Sequence, residues 1–203
     1  GGFSAGGGLW STREIVLENA AVAGNETLGQ SSFGGGAASG GNVTIANATL
    51  SGNVTGGEGA RGGGVFAGRE LTLANATLAR NETRGPDADG GGAFGEDVIR
   101  ASNSTLTGNR ASGPLAEGGG IGSAGAREVE LANSIVLGNV AGARVDEIGG
   151  AAIRIHAGLN IVGPGGDDDP SDGVIGADPA AVFARTAPLP GGGSAGVLAD
   201  NGG

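Results

Sequence analysis

The chain has 203 residues, of which 48 are glycine and 7 are proline, and it carries a net charge of −10 with no cysteine. The absence of cysteine excludes disulfides, thiolate metal sites and cysteine nucleophiles. The acidity argues against nucleic acid or an anionic membrane surface as a partner. No apolar run approaches the roughly 18 residues of a membrane span, so we expect no membrane insertion of this segment. This much glycine and proline is typical of disorder unless a period organises the chain.

A repeat of 28 residues supplies that period. Its first marker is a triple glycine, at 6–8, 34–36, 62–64, 90–92 and 118–120. Two asparagine columns keep the same step until two residues are added after Gly120. The first column contains Asn19, Asn47, Asn75, Asn103 and Asn133, and the second contains Asn25, Asn53, Asn81, Asn109 and Asn139. Self-similarity at a fixed period of this length indicates a repeat architecture.

The pattern within each repeat predicts about three short strands. Val43 and Ile45 alternate with Thr44, Leu50 belongs to a second strand, and Val65-Phe66 after a triple glycine to a third. Equivalent strands one repeat apart, without crossover helices, pair by coiling into parallel sheets, and parallel crossovers are right-handed. We therefore predict an all-β fold, a right-handed parallel β-helix (a single-stranded solenoid) with about five 28-residue rungs and an irregular C-terminal region.

Each column then has a physical role. Stacked asparagines hydrogen-bond from rung to rung and tolerate the left-handed backbone of tight corners, so we expect both Asn columns to face the coil. The triple glycine is expected at a third corner that leaves no space for a Cβ atom. Trp10, Phe66 and Phe94 are expected to form a partial aromatic stack that Ala38 interrupts.

The domain prediction is a single unit in two parts. Residues 1–141 form the regular rungs, and residues 142–203 continue the solenoid as irregular rungs with an acidic loop at 164–173. The first rung has no polar capping element, which solenoid ends need. Flanking segments of a longer chain are therefore expected partners.

The repeats resemble those of polymorphic outer-membrane proteins and related bacterial β-helix proteins. The resemblance rests on a Gly-Gly-Ala-apolar motif around Gly90–Ala93 and on an apolar-x-x-Asn motif at Leu50–Asn53, Leu78–Asn81 and Leu106–Asn109. The order of the tail motifs, at Asn133–Asn139, Leu159–Gly163, Gly176–Pro179 and Asp200–Gly203, is similar to that of secreted bacterial proteins with a choice-of-anchor domain. The resemblance implies an extracellular or cell-surface location. It also implies adhesion, surface display or a carbohydrate-related activity, with surface glycans or proteins as partners.

The outer face of the first strand in each repeat holds the best acid pair. Glu128 and Glu130 are two residues apart on a strand, hence about 6.6 Å apart on one face, and inverting glycosidases separate their carboxyl groups by about 6.5–9.5 Å. The competing interpretation is a solvated face on which Arg100 of the adjacent rung pairs with Glu130. An outward column of Glu14, Asn42, Glu70 and Glu128 is reminiscent of calcium-binding lyases, but Asn42 and Val98 break it.

The acidic loop offers the other candidate site. Asp167, Asp168, Asp169 and Asp172 could bind calcium, a cation that prefers clustered oxygen ligands. Their spacing matches no known calcium motif, so a flexible acidic loop is the favoured interpretation. We expect no cofactor, with calcium as the one alternative. His156 is the single histidine and has no partner motif for a catalytic triad.

Seven Asn-x-Ser/Thr sequons occur in the chain, at Asn25, Asn42, Asn47, Asn53, Asn75, Asn81 and Asn103. Six of the seven lie in the two columns, so only Asn42 is expected to be accessible. The glycine triples lack the Lys-Ser/Thr ending of a phosphate loop.

Two functional hypotheses follow. The first is a non-enzymatic scaffold for adhesion or display, favoured by the regular repeat and by outer faces of small residues, threonine and scattered charge. The second is a polysaccharide-active enzyme (a lyase, hydrolase or epimerase). Its site would be on the outer strand face, near Glu70, Arg100, Glu128 and Glu130. An enzyme is expected to break the repeat with a cluster of acids, bases and aromatic residues.

Overall fold

The computed structural model describes residues 4–124, 128–150, 152–164, 174–190 and 192–197, and of residues 152–157 the backbone alone. These residues form a parallel β-solenoid of about five turns with about 28 residues per turn, which confirms the predicted fold class. Among the described residues, no helix has the length and apolar character that a membrane crossing requires.

Each turn contributes strands to four sheets, so the prediction of three strands per turn was wrong. The missed strand directly follows the second Asn column, and it contains only two or three residues, as in β8 (Val54–Gly56) and β16 (Arg110–Ala111). Its buried position is mostly threonine, as with Thr55 and Thr83, so the strand lacks the apolar alternation by which the other strands were recognised.

The strands that follow the triple glycines form sheet 1, and the longest strands form sheet 2. Sheet 1 contains β1 (Leu9–Ser11), β5 (Ala37–Ser39), β9 (Val65–Ala67), β13 (Ala93–Gly95), β17 (Ile121–Ser123) and β22 (Ile148–Gly149). Sheet 2 contains β2 (Glu14–Glu18), β6 (Asn42–Ala46), β10 (Leu71–Ala74), β14 (Ile99–Ser102), β18 (Glu128–Ala132) and β23 (Ala152–Ala157).

The remaining strands of each turn form sheets 3 and 4. Sheet 3 contains β3 (Ala21–Ala23), β7 (Thr49–Ser51), β11 (Thr77–Ala79), β15 (Thr105–Thr107), β19 (Ile135–Val136), β24 (Asn160–Val162) and β25 (Val174–Gly176). Sheet 4 contains β4 (Glu26–Leu28), β8, β12 (Glu82–Arg84), β16, β20 (Val140–Ala141) and β21 (Arg144–Val145), and β21 is antiparallel to β20.

The core is a set of aliphatic stacks between sheets 1, 2 and 3. The residues predicted to alternate inward lie in it, and Val43, Ile45 and Leu50 are fully buried. Each of these side chains stacks on its equivalent one turn away, as Val43 does on Leu71 in the register of β6 and β10. Burial of the aliphatic columns therefore fixes the register of all three sheets.

The triple glycine brings the chain against sheet 4. Gly62 has a φ of +67°, and a Cβ atom on Gly63 would lie 2.5 Å from the backbone carbon of Glu82. A Cβ atom on Gly64 would lie 2.9 Å from Cγ of Asn81. Glycine is required here because the backbone of this segment packs directly on the β12 backbone and on the second Asn column.

The second Asn column is a buried hydrogen-bonded ladder. Asn81 Oδ1 accepts hydrogen bonds from the backbone N–H (3.0 Å) and from Nδ2 (2.9 Å) of Asn53, one turn earlier. Asn81 Nδ2 donates to Asn109 Oδ1 one turn later and to the carbonyl of Leu50, each at 3.0 Å. The same pattern recurs along the column, so the ladder has a direction, with donors on one side of each rung and acceptors on the other.

The first Asn column lies outside the coil, and the expectation that it faces inward was wrong. Asn19, Asn47, Asn75, Asn103 and Asn133 are exposed and have φ values of 49–51°. They are at a corner whose left-handed backbone favours asparagine, and this preference explains the column without burial. Asn47, Asn75 and Asn103 are therefore accessible sequons in addition to Asn42, contrary to the expectation.

The aromatic stack is on the outer side of sheet 1 and differs from the prediction at one end. Phe66 and Phe94 stack with ring centroids 6.0 Å apart, and Phe33 stacks on Phe66 at 4.3 Å. Phe33 comes from the loop of the preceding turn and covers the space beside Ala38. Trp10 does not join the stack and is 47% exposed. The sequence pattern did not show that a loop residue enters the stack.

The chain after residue 141 keeps adding strands to the same sheets. β22, β23 and β24 pair in parallel with strands of the fifth turn, and β25 pairs with β24. A short helix, α1 (Pro179–Val182), leads into the antiparallel hairpin of β26 (Thr186–Pro188) and β27 (Ser194–Gly196). The hairpin folds back on the fourth turn, where the N–H of Gly196 donates to Thr107 Oγ1 at 3.0 Å.

Candidate functional site

The predicted acid pair lies on the outer face of sheet 2, beside an arginine. The register places Arg100 opposite Thr72 on one side and Glu130 on the other. Glu128 and Glu130 are half-buried and lie on the same face of β18. The strand geometry thus brings Arg100, Glu128 and Glu130 to one patch, as the sequence predicted.

Arg100 bridges two acids from different turns. Its Nε donates to Glu130 Oε2 at 2.7 Å, and its NH1 group forms a short hydrogen bond with Glu70. The hydrogen bonds to Glu70 and then to Glu130 raise the pKa of Arg100 further above its usual value. The guanidinium is therefore permanently charged and engaged, which makes it an electrostatic partner of these carboxylates and unsuited to the role of a base.

This ion-pair cluster is expected to contribute little to stability. Because the Arg100 side chain is 43% exposed, Arg100→Met should lower the free energy of unfolding by less than about 1 kcal/mol, the range of exposed salt bridges. Urea unfolding of both proteins measures the difference. A loss of several kcal/mol would contradict the solvated-face interpretation of the patch.

The other predicted site residues lie outside the described part of the chain or have only their backbone described. Asp167, Asp168, Asp169 and Asp172 lie outside the described residues. His156 lies on β23 at a register shift, since Ile155 pairs with Leu131 and Ala157 with Ala132. Within the described ranges, no group of three or more acids or histidines is arranged to hold a metal ion.

A buried carboxylate that the sequence did not indicate ends the Asn ladder. Glu147 is fully buried, and its Oε2 accepts from the backbone N–H of Asn139 at 3.0 Å and from Asn139 Nδ2 at 2.6 Å. Its Oε1 accepts from the N–H of Gly138 at 2.8 Å. Glu147 thus occupies the place of the next asparagine, and as a pure acceptor when ionised it satisfies the last donors of the ladder.

Burial dominates the electrostatics of this terminus. Desolvation raises the pKa of Glu147 to about 8, against the lowering effect of the hydrogen bonds from Asn139 and Gly138. Desolvation also raises the pKa of the neighbouring Asp146, although Arg144 Nη2 lies 2.7 Å from its Oδ2. The end of the ladder therefore holds two adjacent acids that bind protons more tightly than they do in water.

A cleft of about 380 Å³ lies beside this terminus, between the fifth turn and the C-terminal hairpin. Its lining is mainly apolar, with Val140, Val145, Pro164, Pro179 and Leu189, and Asp178 and Ser194 are also at its surface. Glu147 is part of the wall but is closed off from solvent, and a Cβ atom on Gly163 would lie 2.3 Å from its Oε1. The carboxyl group is therefore held as a structural terminus and is not presented to the cleft.

Comparison of the chain with family models, with curated proteins and with solved structures found no match. The repeat and the geometry of the sites therefore carry the functional argument.

Proposed function

We propose that this solenoid is a rigid scaffold of an extracellular or cell-surface bacterial protein that serves adhesion or surface display. The observation that carries the proposal is the outer face of sheet 2, where Arg100 engages Glu130, one of the two acids predicted as catalytic, together with Glu70. Among the described residues of this face, the side chains around that patch are small or hydroxylated, as with Thr44, Thr72 and Ala74. A flat face of this kind favours contact with a large partner over enclosure of a substrate.

The ladder supports rigidity. Each turn is joined to the next by parallel strand pairing in four sheets and by buried Asn side chains. Buried polar networks with all members satisfied fix one arrangement of the chain. A rod built in this way holds its outer surface in a constant shape, which suits display.

The first turn offers a surface for a further rung. Its apolar residues Ile15, Leu17 and Val22 are only partly buried, while their equivalents in the following turns are fully buried. Asn25 donates to Asn53 Oδ1 in the following turn. By the same pattern, the Oδ1 atom of Asn25 would accept hydrogen bonds from an asparagine of a preceding turn. This chemistry fits a flanking segment with the same repeat, as in the polymorphic outer-membrane proteins that the repeat resembles.

A polysaccharide turnover screen tests the proposal against its enzymatic alternative. The folded protein is incubated with pectic, alginate, chitin and glucan substrates, with and without calcium, and new reducing ends and unsaturated-uronate absorbance are measured. We expect no turnover. Turnover that Glu130→Gln abolishes, and that Glu18→Gln at the far end of the same face leaves intact, would overturn the scaffold and establish an enzyme.

A further inference from the structure

The repeat departs from its own pattern at one corner, between sheets 1 and 2 of the second turn. Arg13 and Arg69 occupy equivalent places in the first and third turns, and Gly41 takes that place between them. At the next position of the repeat, the first and third turns have Glu14 and Glu70, and Asn42 lies opposite Glu14 in the second turn. Two consecutive positions thus lose their charged side chains in this turn alone of the first three.

The departure opens a notch in the surface. The notch has a volume of about 280 Å³, with Gly40 and Gly41 as its floor and Thr12, Arg13, Asn42 and Arg69 around it. The floor cannot be filled by a side chain on Gly41, because a Cβ atom there would lie 1.6 Å from the carbonyl oxygen of Arg13. Close stacking of the turns therefore maintains the gap between the two arginines.

The two arginines are available to a ligand. Arg13 and Arg69 are exposed, and neither forms an ion pair within the described residues. Five other arginines of the described residues are paired with Asp or Glu. In a chain of net charge −10, two arginines that form no ion pair among the described residues thus line one notch.

The spacing suits one anionic group. Two turns separate the arginines by about 9.6 Å along the solenoid, and an arginine binds a carboxylate through a planar pair of N–H donors. A carboxylate above Gly41 can therefore be approached by both guanidinium groups. Asn42 adds a donor, since its Oδ1 accepts from the N–H of Glu70 at 3.4 Å and its Nδ2 group remains to donate.

We propose that this notch binds a carboxylate with hydroxyl groups next to it, either as a free hydroxy acid or as a uronate residue of a saccharide. Arg13 and Arg69 hold the carboxylate. Asn42 donates to a hydroxyl oxygen, and the exposed Glu14 beside it accepts a hydrogen bond from a hydroxyl group. Glu14 and Glu70 at the rim disfavour anions without hydroxyl donors, such as sulfate. The notch adjoins the Arg100 patch, because Glu70 at its rim also pairs with Arg100, but the proposed ligand does not depend on the scaffold role.

Titration of the folded protein with galacturonate, trigalacturonate, tartrate, sulfate and neutral galactose tests the proposal by ¹⁵N-detected NMR and calorimetry. We expect binding of the uronates or the hydroxy acid, with the two sources told apart by which ligand binds more tightly. Sulfate and galactose should bind at least tenfold more weakly. Binding should weaken as the salt concentration rises.

Variants locate the site. Arg13→Gln, Arg69→Gln and Asn42→Glu should each weaken binding at least tenfold, because each removes a ligand contact or adds a repelling charge. Arg80→Gln, which removes an exposed positive charge elsewhere, should leave binding unchanged. The proposal would be overturned if all variants bound equally well. It would also be overturned if the folded protein bound no hydroxy-carboxylate at ligand concentrations on the order of 10 mM. Neither result would bear on the turnover screen.

Discussion

Raising the pH from 5 to 9 should lower the free energy of unfolding by on the order of 4 kcal/mol through Glu147. Its pKa is about 8 in the folded protein against a reference value of 4.5, and each unit of difference corresponds to about 1.4 kcal/mol. Between these two values the unfolded chain has released its proton while the folded protein retains it, so stability falls as pH rises. The contribution is fully present below pH 4.5 and is lost as the pH passes 8. Urea unfolding across this pH range measures it.

Glu147→Gln isolates this effect. Glutamine keeps an acceptor for Asn139 but does not ionise, so the variant should lose most of the decline between pH 6 and pH 8. The NH2 group of the glutamine side chain would face the N–H of Gly138, and two donors cannot hydrogen-bond to each other. This mismatch should lower the free energy of unfolding by about 1–2 kcal/mol at pH 5. The variant should therefore be less stable than the parent at pH 5 and more stable at pH 9. Glu58→Gln, at an exposed acid in the second turn and thus several turns from Glu147, should leave the slope unchanged. Parallel curves for parent and Glu147→Gln would show that Glu147 does not govern the pH dependence.

Replacing a central ladder residue should be more damaging still. Asn81→Ala removes an acceptor from the N–H and Nδ2 of Asn53, and a donor from Leu50 and Asn109. A buried polar group left without a partner costs about 1–3 kcal/mol. The combined loss is expected to exceed about 4 kcal/mol, a large fraction of the roughly 5–15 kcal/mol by which a folded domain is stable. Thermal unfolding followed by circular dichroism provides the measurement.

The exposed column supplies the matched control. Asn75 also joins its neighbour, through Nδ2 to Asn47 Oδ1 at 3.0 Å, but the pair is exposed to water. Asn75→Ala should cost about 1 kcal/mol, mostly from placing alanine at a φ of 50°. If Asn75→Ala and Asn81→Ala were equally destabilising, burial of the second column would not be the source of its strength.

The regular part of the fold was predictable because its causes are periodic. Val43, Ile45 and the glycine at 62 recur in register, and one repeat suffices to assign the strand, the inward face and the corner. The Asn columns show the limit of that method. Both columns recur with the same period, yet one faces the interior and the other faces solvent. The period shows that asparagine is required in every turn. It does not show whether the requirement is a left-handed backbone conformation or a buried hydrogen bond.

The candidate sites show the same division. The patch of Arg100, Glu128 and Glu130 was predictable because strand alternation and register place those side chains directly. Glu147 was missed because it substitutes for an asparagine in a turn of altered length, only eight residues after Asn139. The Gly41 notch is visible in the sequence as the replacement of Arg by Gly and of Glu by Asn in one turn. Its interpretation as a binding site needs the structure, which shows that the exposed Arg13 and Arg69 lack acid partners within the described residues.

The direction of the ladder has a consequence for how such a rod changes in length. Every internal turn receives donors from the turn before it and passes donors to the turn after it, so any turn can be followed by a copy of itself. Duplication or deletion of 28 residues in the middle therefore alters the rod by one step of about 4.8 Å. The Glu147 terminus is unaffected by such an event, because it meets the same asparagine whatever number of turns precedes it. Length is thus a variable that evolution can adjust in whole steps while the end of the Asn ladder at Glu147 stays constant.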